Sequence, residues 1–171
     1  MVLVSNMSSI ENGRARAVAD LAEGLILASV EIAAPPERVF RALVSKEVCE
    51  WWVRPDVFDT REWTGDVRVG GRWRASGMDT ERPYVIEGEF LEIDPPRKLV
   101  HTWHSVGAPS APTTVTYALE PLDGATRITL RHSGFAAPFV APGMCMNTCI
   151  GWETSFERLA ELLAVGRAPS F

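Results

Sequence analysis

One helical stripe at the end of the chain most restricts what the rest can fold into. Cys149, Trp152, Phe156, Leu159 and Leu163 recur at alternating steps of three and four. That spacing puts all five on one face of a helix of about five turns, running to Val165 with Gly166 as its stop. A helix with one apolar face needs a partner surface, and the preceding chain supplies strands. Leu25–Ile32 is rich in branched residues, as strands are. Further strands are expected over residues 62–64, 72–76, 84–93, 98–105, 113–120 and 126–132. They are punctuated by Gly65-Asp66, Gly70-Gly71, Asp94-Pro95-Pro96 and Leu122-Asp123-Gly124. A further short strand over residues 14–22 could hairpin onto the first through Ala22-Glu23-Gly24.

Two short helices interrupt the strands. Pro35-Pro36-Glu37 opens one, since proline is tolerated in the first turn and an acid complements the positive helix end. Val39, Phe40, Leu43 and Val44 give it an apolar side. Ser45 can cap the second, which carries Val48, Trp51 and Trp52. In the last strand Ile128, Leu130 and His132 face one way and Arg127, Thr129 and Arg131 the other. One sheet face is therefore wet, as in an antiparallel sheet. The order predicts an α+β fold: a curved antiparallel sheet of about six or seven strands wrapped around a long C-terminal helix. A single domain over residues 14–166 is expected, with a flexible leader at 1–13 and a tail at 167–171.

Charge and composition remove several function classes. The net charge is −5, and the few basic residues form no run or stripe. That argues against nucleic acid as a partner. No apolar run approaches the roughly 18–20 residues of a membrane span, so membrane insertion is not expected. Three cysteines, an odd number with no CxxC pair, and an N-terminus without a signal-like pattern fit free thiols in the cytoplasm. The chain contains no GxSxG, P-loop, GxGxxG or HExxH pattern. No ligand quartet at recognised spacing joins Cys145 and Cys149, so neither a metal nor another cofactor is expected.

The chain holds six Trp and seven Phe but only two Tyr. Each aromatic has two readings, core filler or pocket wall. Phe40, Phe90 and Phe156 lie on strongly periodic elements and read as core. Trp51, Trp52, Trp103 and Trp152 read as pocket walls, because an indole N–H needs a partner that a ligand or water can supply. Gly151 is unfavourable inside a helix, so close approach of a strand or ligand is expected there. Met144 and Met146 beside the loop carrying Phe135 and Phe139 suit either a lid or a hydrophobic tuck onto the sheet rim. Alternation turns His101 and His132 inward. Glu87 and Glu89 share a face, and solvation is the simpler reading for both.

The ordered set of motifs resembles the START-like helix-grip superfamily, also called SRPBCC. Within it, the chain is similar to bacterial homologues of the activator of the 90-kDa heat-shock-protein ATPase. The matching pieces are Ala34-Pro35-Pro36-Glu37-Arg38-Val39-Phe40, Trp51-Trp52, Gly70-Gly71-Arg72-Trp73, Gly88-Glu89-Phe90 through Asp94-Pro95-Pro96, Thr113-Thr114-Val115-Thr116 and Gly151-Trp152. The resemblance implies a cavity between sheet and C-terminal helix that takes a hydrophobic or amphipathic small molecule. Trp51, Trp52, Trp73, Trp103, His104, Met146 and Trp152 are the expected lining. It also leaves two alternatives: a co-chaperone contact with a heat-shock ATPase, and cyclase or hydratase chemistry using His101, His132 or Glu87. Binding is the reading preferred over catalysis. A homodimer is a further expectation.

Overall fold

The computed structural model describes residues 13–165. Gly166, the tail and all of the leader except Gly13 lie outside the described residues. The elements are β1 (Arg16–Asp20), β2 (Leu25–Ile32), α1 (Pro36–Leu43), α2 (Val48–Trp51), β3 (Glu62–Gly65), β4 (Arg72–Asp79), β5 (Arg82–Asp94), β6 (Lys98–Ser105), β7 (Thr113–Leu122), β8 (Ala125–Ser133) and α3 (Met144–Val165).

The strands form one eight-stranded sheet in the order β1-β2-β8-β7-β6-β5-β4-β3. All its pairings are antiparallel. Consecutive strands pair as hairpins except at one place, where β2 lies against β8. The segment containing α1 and α2 carries the chain from β2, second from one edge, to β3 at the other edge. The eighth strand is β1, which falls within the short strand offered over residues 14–22, so the sheet has one strand more than the six or seven expected. Strand β1 pairs with β2 through Val18 opposite Leu27, with both side chains exposed. Its inward residues are the small Ala17 and Ala19, partly buried against the core, so its apolar alternation is faint. Glu153 on α3 accepts the Ala17 N–H at 3.1 Å and so covers part of that open edge.

The α3 stripe packs as its spacing requires. Cys149, Trp152, Phe156, Leu159 and Leu163 are all buried, and the helix lies against β1, β2 and α2. It starts earlier than the stripe does, at Met144, giving about six turns. In α1, Val39, Phe40, Ala42 and Leu43 are buried, and Pro36 stands in the first turn with Glu37 beside it. The buried apolar residues form one contiguous core between sheet and helices. Among the described residues, no helix is long and apolar enough to cross a membrane.

Gly88 on β5 shows how tightly the inner face is built. A Cβ there would lie 1.9 Å from the Thr102 carbonyl oxygen and 2.6 Å from Trp73 Nε1. Only glycine lets the Trp73 indole lie over the strand and donate to Thr102 O at 3.2 Å.

Candidate ligand-binding site

The aromatic residues meet on the inner face of the sheet, under the first half of α3. Trp152 is fully buried at their centre. Its ring centroid lies 4.6 Å from Trp52, 5.8 Å from Trp103, 5.8 Å from Tyr117 and 5.4 Å from Phe156. These rings pack edge-on and tilted, the arrangements aromatic quadrupoles favour. Little space remains among them: a void of about 30 Å³, room for about one water molecule. Trp51, Trp63, Trp73, Phe90, His101 and Tyr117 are among the residues around it.

A larger cavity, about 370 Å³, adjoins this void on the other side of Trp52, Ile86 and Trp103, which line both. Its remaining apolar wall includes Val57, Phe58, Met144 and Gly151. Arg54, Asp79, Thr80, Tyr84, Ser105, Asn147 and Thr148 supply the polar groups. Trp52 comes from the turn after α2, Phe58 from the irregular segment before β3, and Trp103 from the end of β6. Met144, Thr148 and Gly151 stand at steps of four and three along α3, one helix face. An apolar cavity with a few polar groups is the usual form of a small-molecule site, and its volume lies near the lower end of the common range.

Three of the indoles around these spaces have protein acceptors. Trp51 donates to Ala42 O at 2.9 Å, Trp73 to Thr102 O, and Trp152 to His132 Nδ1 at 3.0 Å. Among the described residues, Trp52, Trp63 and Trp103 donate to no protein acceptor, and of these Trp63 lines only the smaller void. Trp52 and Trp103 are the two of these three that line the larger cavity, so their N–H groups remain available there.

The backbone of Trp52 is tied to the sheet side of the cavity. Thr60 Oγ1 donates to Trp52 O at 2.7 Å, and the Tyr84 hydroxyl lies 2.7 Å from both Thr60 Oγ1 and Asp59 O. Burial pushes the Tyr84 hydroxyl up to about 12, so it stays protonated.

His132 and His101 are buried, as alternation required. Because Trp152 donates to His132 Nδ1, the His132 proton must sit on Nε2, 2.7 Å from Thr113 Oγ1. Thr113 in turn donates to Trp103 O at 3.1 Å. Every member of that chain is satisfied, and it fixes Trp152 relative to Trp103. His101 places Nδ1 2.9 Å from Thr102 O, which makes that nitrogen the donor. Burial holds both rings neutral, pushing His101 down to about 4 and His132 to about 3.

Five of the seven residues expected as lining stand around these spaces: Trp51, Trp73 and Trp152 at the smaller void, Trp52 and Trp103 at both. Two expectations are corrected. His104 follows Trp103 on β6, so it projects from the opposite sheet face, where Nε2 meets Ser110 O at 3.0 Å. Met146 is 42% exposed and lies outside both linings, while Met144 takes the wall position. Glu87 also faces away from the core, near Arg72 and Arg74 at 3.9 and 4.0 Å. Phe135 tucks against His132, with ring centroids 4.6 Å apart, whereas Phe139 is 76% exposed. Burial raises both the Cys145 and Cys149 thiols, which keeps them protonated.

Sequence reasoning missed Arg54, Val57, Phe58, Tyr84, Asn147 and Thr148. The spacing Met144–Thr148–Gly151 could have revealed the helix side. The 52–61 segment has no periodicity to read.

Solved structures share this fold. A Chromobacterium violaceum protein is 26% identical over 82% of this chain and 96% of its own, with a TM-score of 0.71. A Mesorhizobium loti protein is 27% identical over 83% of this chain and 99% of its own, with a TM-score of 0.63. An Arthrobacter aurescens protein, 20% identical over 88% of this chain and 91% of its own, reaches a TM-score of 0.73. No curated protein matches the sequence. The family model described as "Activator of Hsp90 ATPase homolog 1-like protein" matches residues 33–164, well over half of the chain. With its antiparallel sheet closed around a C-terminal helix, the chain belongs to that family.

Proposed function

We propose that the protein binds a hydrophobic or amphipathic small molecule in the cavity beside Trp52 and Trp103. The observation that carries this reading is the contrast between the two spaces. The aromatic interior is packed to a remnant void, yet about 370 Å³ stays open against it. Apolar burial would drive binding at roughly 25 cal/mol per Å² removed from water, and the two indole N–H groups and the polar rim would orient the ligand. At about 30 Å³ per water-sized group, the space suits a ligand of roughly a dozen heavy atoms. The three cysteines are free, which supports a cytoplasmic setting.

Gly151 offers the test. A Cβ there would meet Phe58 at 3.5 Å and Trp52 at 3.7 Å, ordinary contact distances, so alanine fits. Gly151→Ala should raise stability by roughly 1 kcal/mol through helix propensity while narrowing the cavity floor. Gly151→Leu should weaken binding of decanol more than tenfold, read by tryptophan fluorescence titration. Equal decanol affinity in wild type and Gly151→Leu would place the ligand elsewhere.

A second reading, contact with a chaperone, is supported by exposed Phe139, Met146 and Ile150 around the start of α3. Its check is stimulation of a heat-shock ATPase by the purified protein; no response at saturating protein removes it. The exposed apolar residues offer no argument for a homodimer over such a partner. Catalysis finds less support, since His101 lines only the smaller void and Glu87 faces away.

A further inference from the structure

Among the residues lining the larger cavity, one carries a positive charge: Arg54. It is half-buried. Two other half-buried arginines of this protein have strong carboxylate partners, and a third, Arg158, has a single carbonyl acceptor and a buried Nε without a partner. Arg38 reaches Glu47 through two hydrogen bonds of 3.0 and 2.7 Å, and Arg127 reaches Glu31 at 2.8 Å. Arg158 donates to Glu50 O at 3.3 Å. Among the described residues, the Arg54 side chain has neither an ion pair nor a side-chain hydrogen bond. The bonds at this position are made by its backbone, between Arg54 N and Phe58 O at 3.0 Å and from Val57 N and Phe58 N to Arg54 O. A guanidinium carries five N–H donors in a planar fork suited to a carboxylate. Leaving it partly desolvated and unpaired is unfavourable unless a ligand completes it.

The acidic member of the same lining is Asp79 at the tip of the β4–β5 hairpin. It is exposed and not within ion-pair distance of Arg54, so solvent screens it more than it screens the deeper cation. The uncharged lining residues near the helix, Asn147 and Thr148, can donate hydrogen bonds as well. Apolar wall, available indole N–H groups, amide and hydroxyl donors and one unpaired guanidinium all suit the same ligand class.

We infer that the cavity takes an amphipathic anion, a carboxylate on an apolar body, with Arg54 as the group that binds its charged end. This rests on the small-molecule reading above and names the ligand class for that site. Charge-assisted hydrogen bonds outweigh neutral ones. In wild type, decanoate should therefore bind roughly ten- to a hundredfold tighter than decanol.

The experiment titrates decanoate, decanol and decyltrimethylammonium into the wild type, Arg54→Gln and Asp79→Asn, with a urea midpoint for each variant to confirm folding. The expected result is an affinity order of decanoate, decanol, decyltrimethylammonium in wild type. The decanoate-to-decanol ratio should fall to near one in Arg54→Gln and rise a few-fold in Asp79→Asn. In wild type the ratio should also shrink at high salt. Equal binding of decanoate and decanol, a preference for the cation, or a ratio untouched by Arg54→Gln overturns the anion assignment, while decanol binding keeps the cavity reading. Binding of none of the three probes overturns both.

Discussion

Between pH 6.5 and pH 4 the protein should lose stability steeply. Burial holds His101 near 4 and His132 near 3 in the folded chain, against about 6.5 when unfolded, with the nearby His101 a lesser cause for His132. Above pH 6.5 both rings are neutral in either state and contribute no pH dependence. Below it, the unfolded chain takes up two protons that the folded chain refuses, so stability falls as pH falls. The loss is roughly 1–1.5 kcal/mol per pH unit for each ring, or roughly 3 kcal/mol per unit together. It levels off for His101 near pH 4 and for His132 near pH 3. The Asp59 carboxyl, held low chiefly by the Met78 N–H, begins to matter only below that window. Urea midpoints measured from pH 7 to pH 4 check this. His101→Gln should cut the slope by about half whatever its effect on absolute stability. A flat profile would mean that the rings are accessible to protons, against the burial described here.

The second large effect is expected at Trp152. This residue is fully buried, touches Trp52, Trp103, Tyr117 and Phe156, and donates to His132. Trp152→Ala removes that packing and should cost about 3–5 kcal/mol. For a domain whose whole stability is about 5–15 kcal/mol, that approaches global unfolding. Trp152→Phe keeps an aromatic ring but leaves His132 Nδ1 buried without its donor, for about 1–3 kcal/mol. Denaturant midpoints with an unchanged slope would read these as losses of stability. A Trp152→Ala cost below about 1 kcal/mol would show that the cluster does not hold α3 to the sheet.

The fold was legible because strands and helices announce themselves by period. The α3 stripe, the clean alternation of β8 and the turn at Asp123-Gly124 each map onto what forms. The edge strand β1 was faint because its inward residues are the small Ala17 and Ala19, partly buried against the core, while outward Val18 is exposed. The site divides along the same line. Trp103 on a strand lines the cavity, and alternation alone excludes its neighbour His104 from the same face. Trp52 came from the paired tryptophans. Arg54 and Phe58 sit in an irregular segment, where only the tertiary path brings them to the cavity. The sequence also could not separate a packed aromatic core from a pocket wall. That distinction turns on which rings border the larger cavity and on indole acceptors, carbonyls and a histidine, that only the folded path brings near.

The most direct measurement follows the six tryptophan indole N–H signals by NMR during titration with decanol and decanoate. If the cavity beside Trp52 and Trp103 is the binding site, the signals of those two shift and saturate with ligand. Those of Trp51 and Trp73, already bonded to Ala42 O and Thr102 O, stay close to their starting positions. Saturable shifts confined to other tryptophans, or no shift at any ligand concentration, would contradict the account.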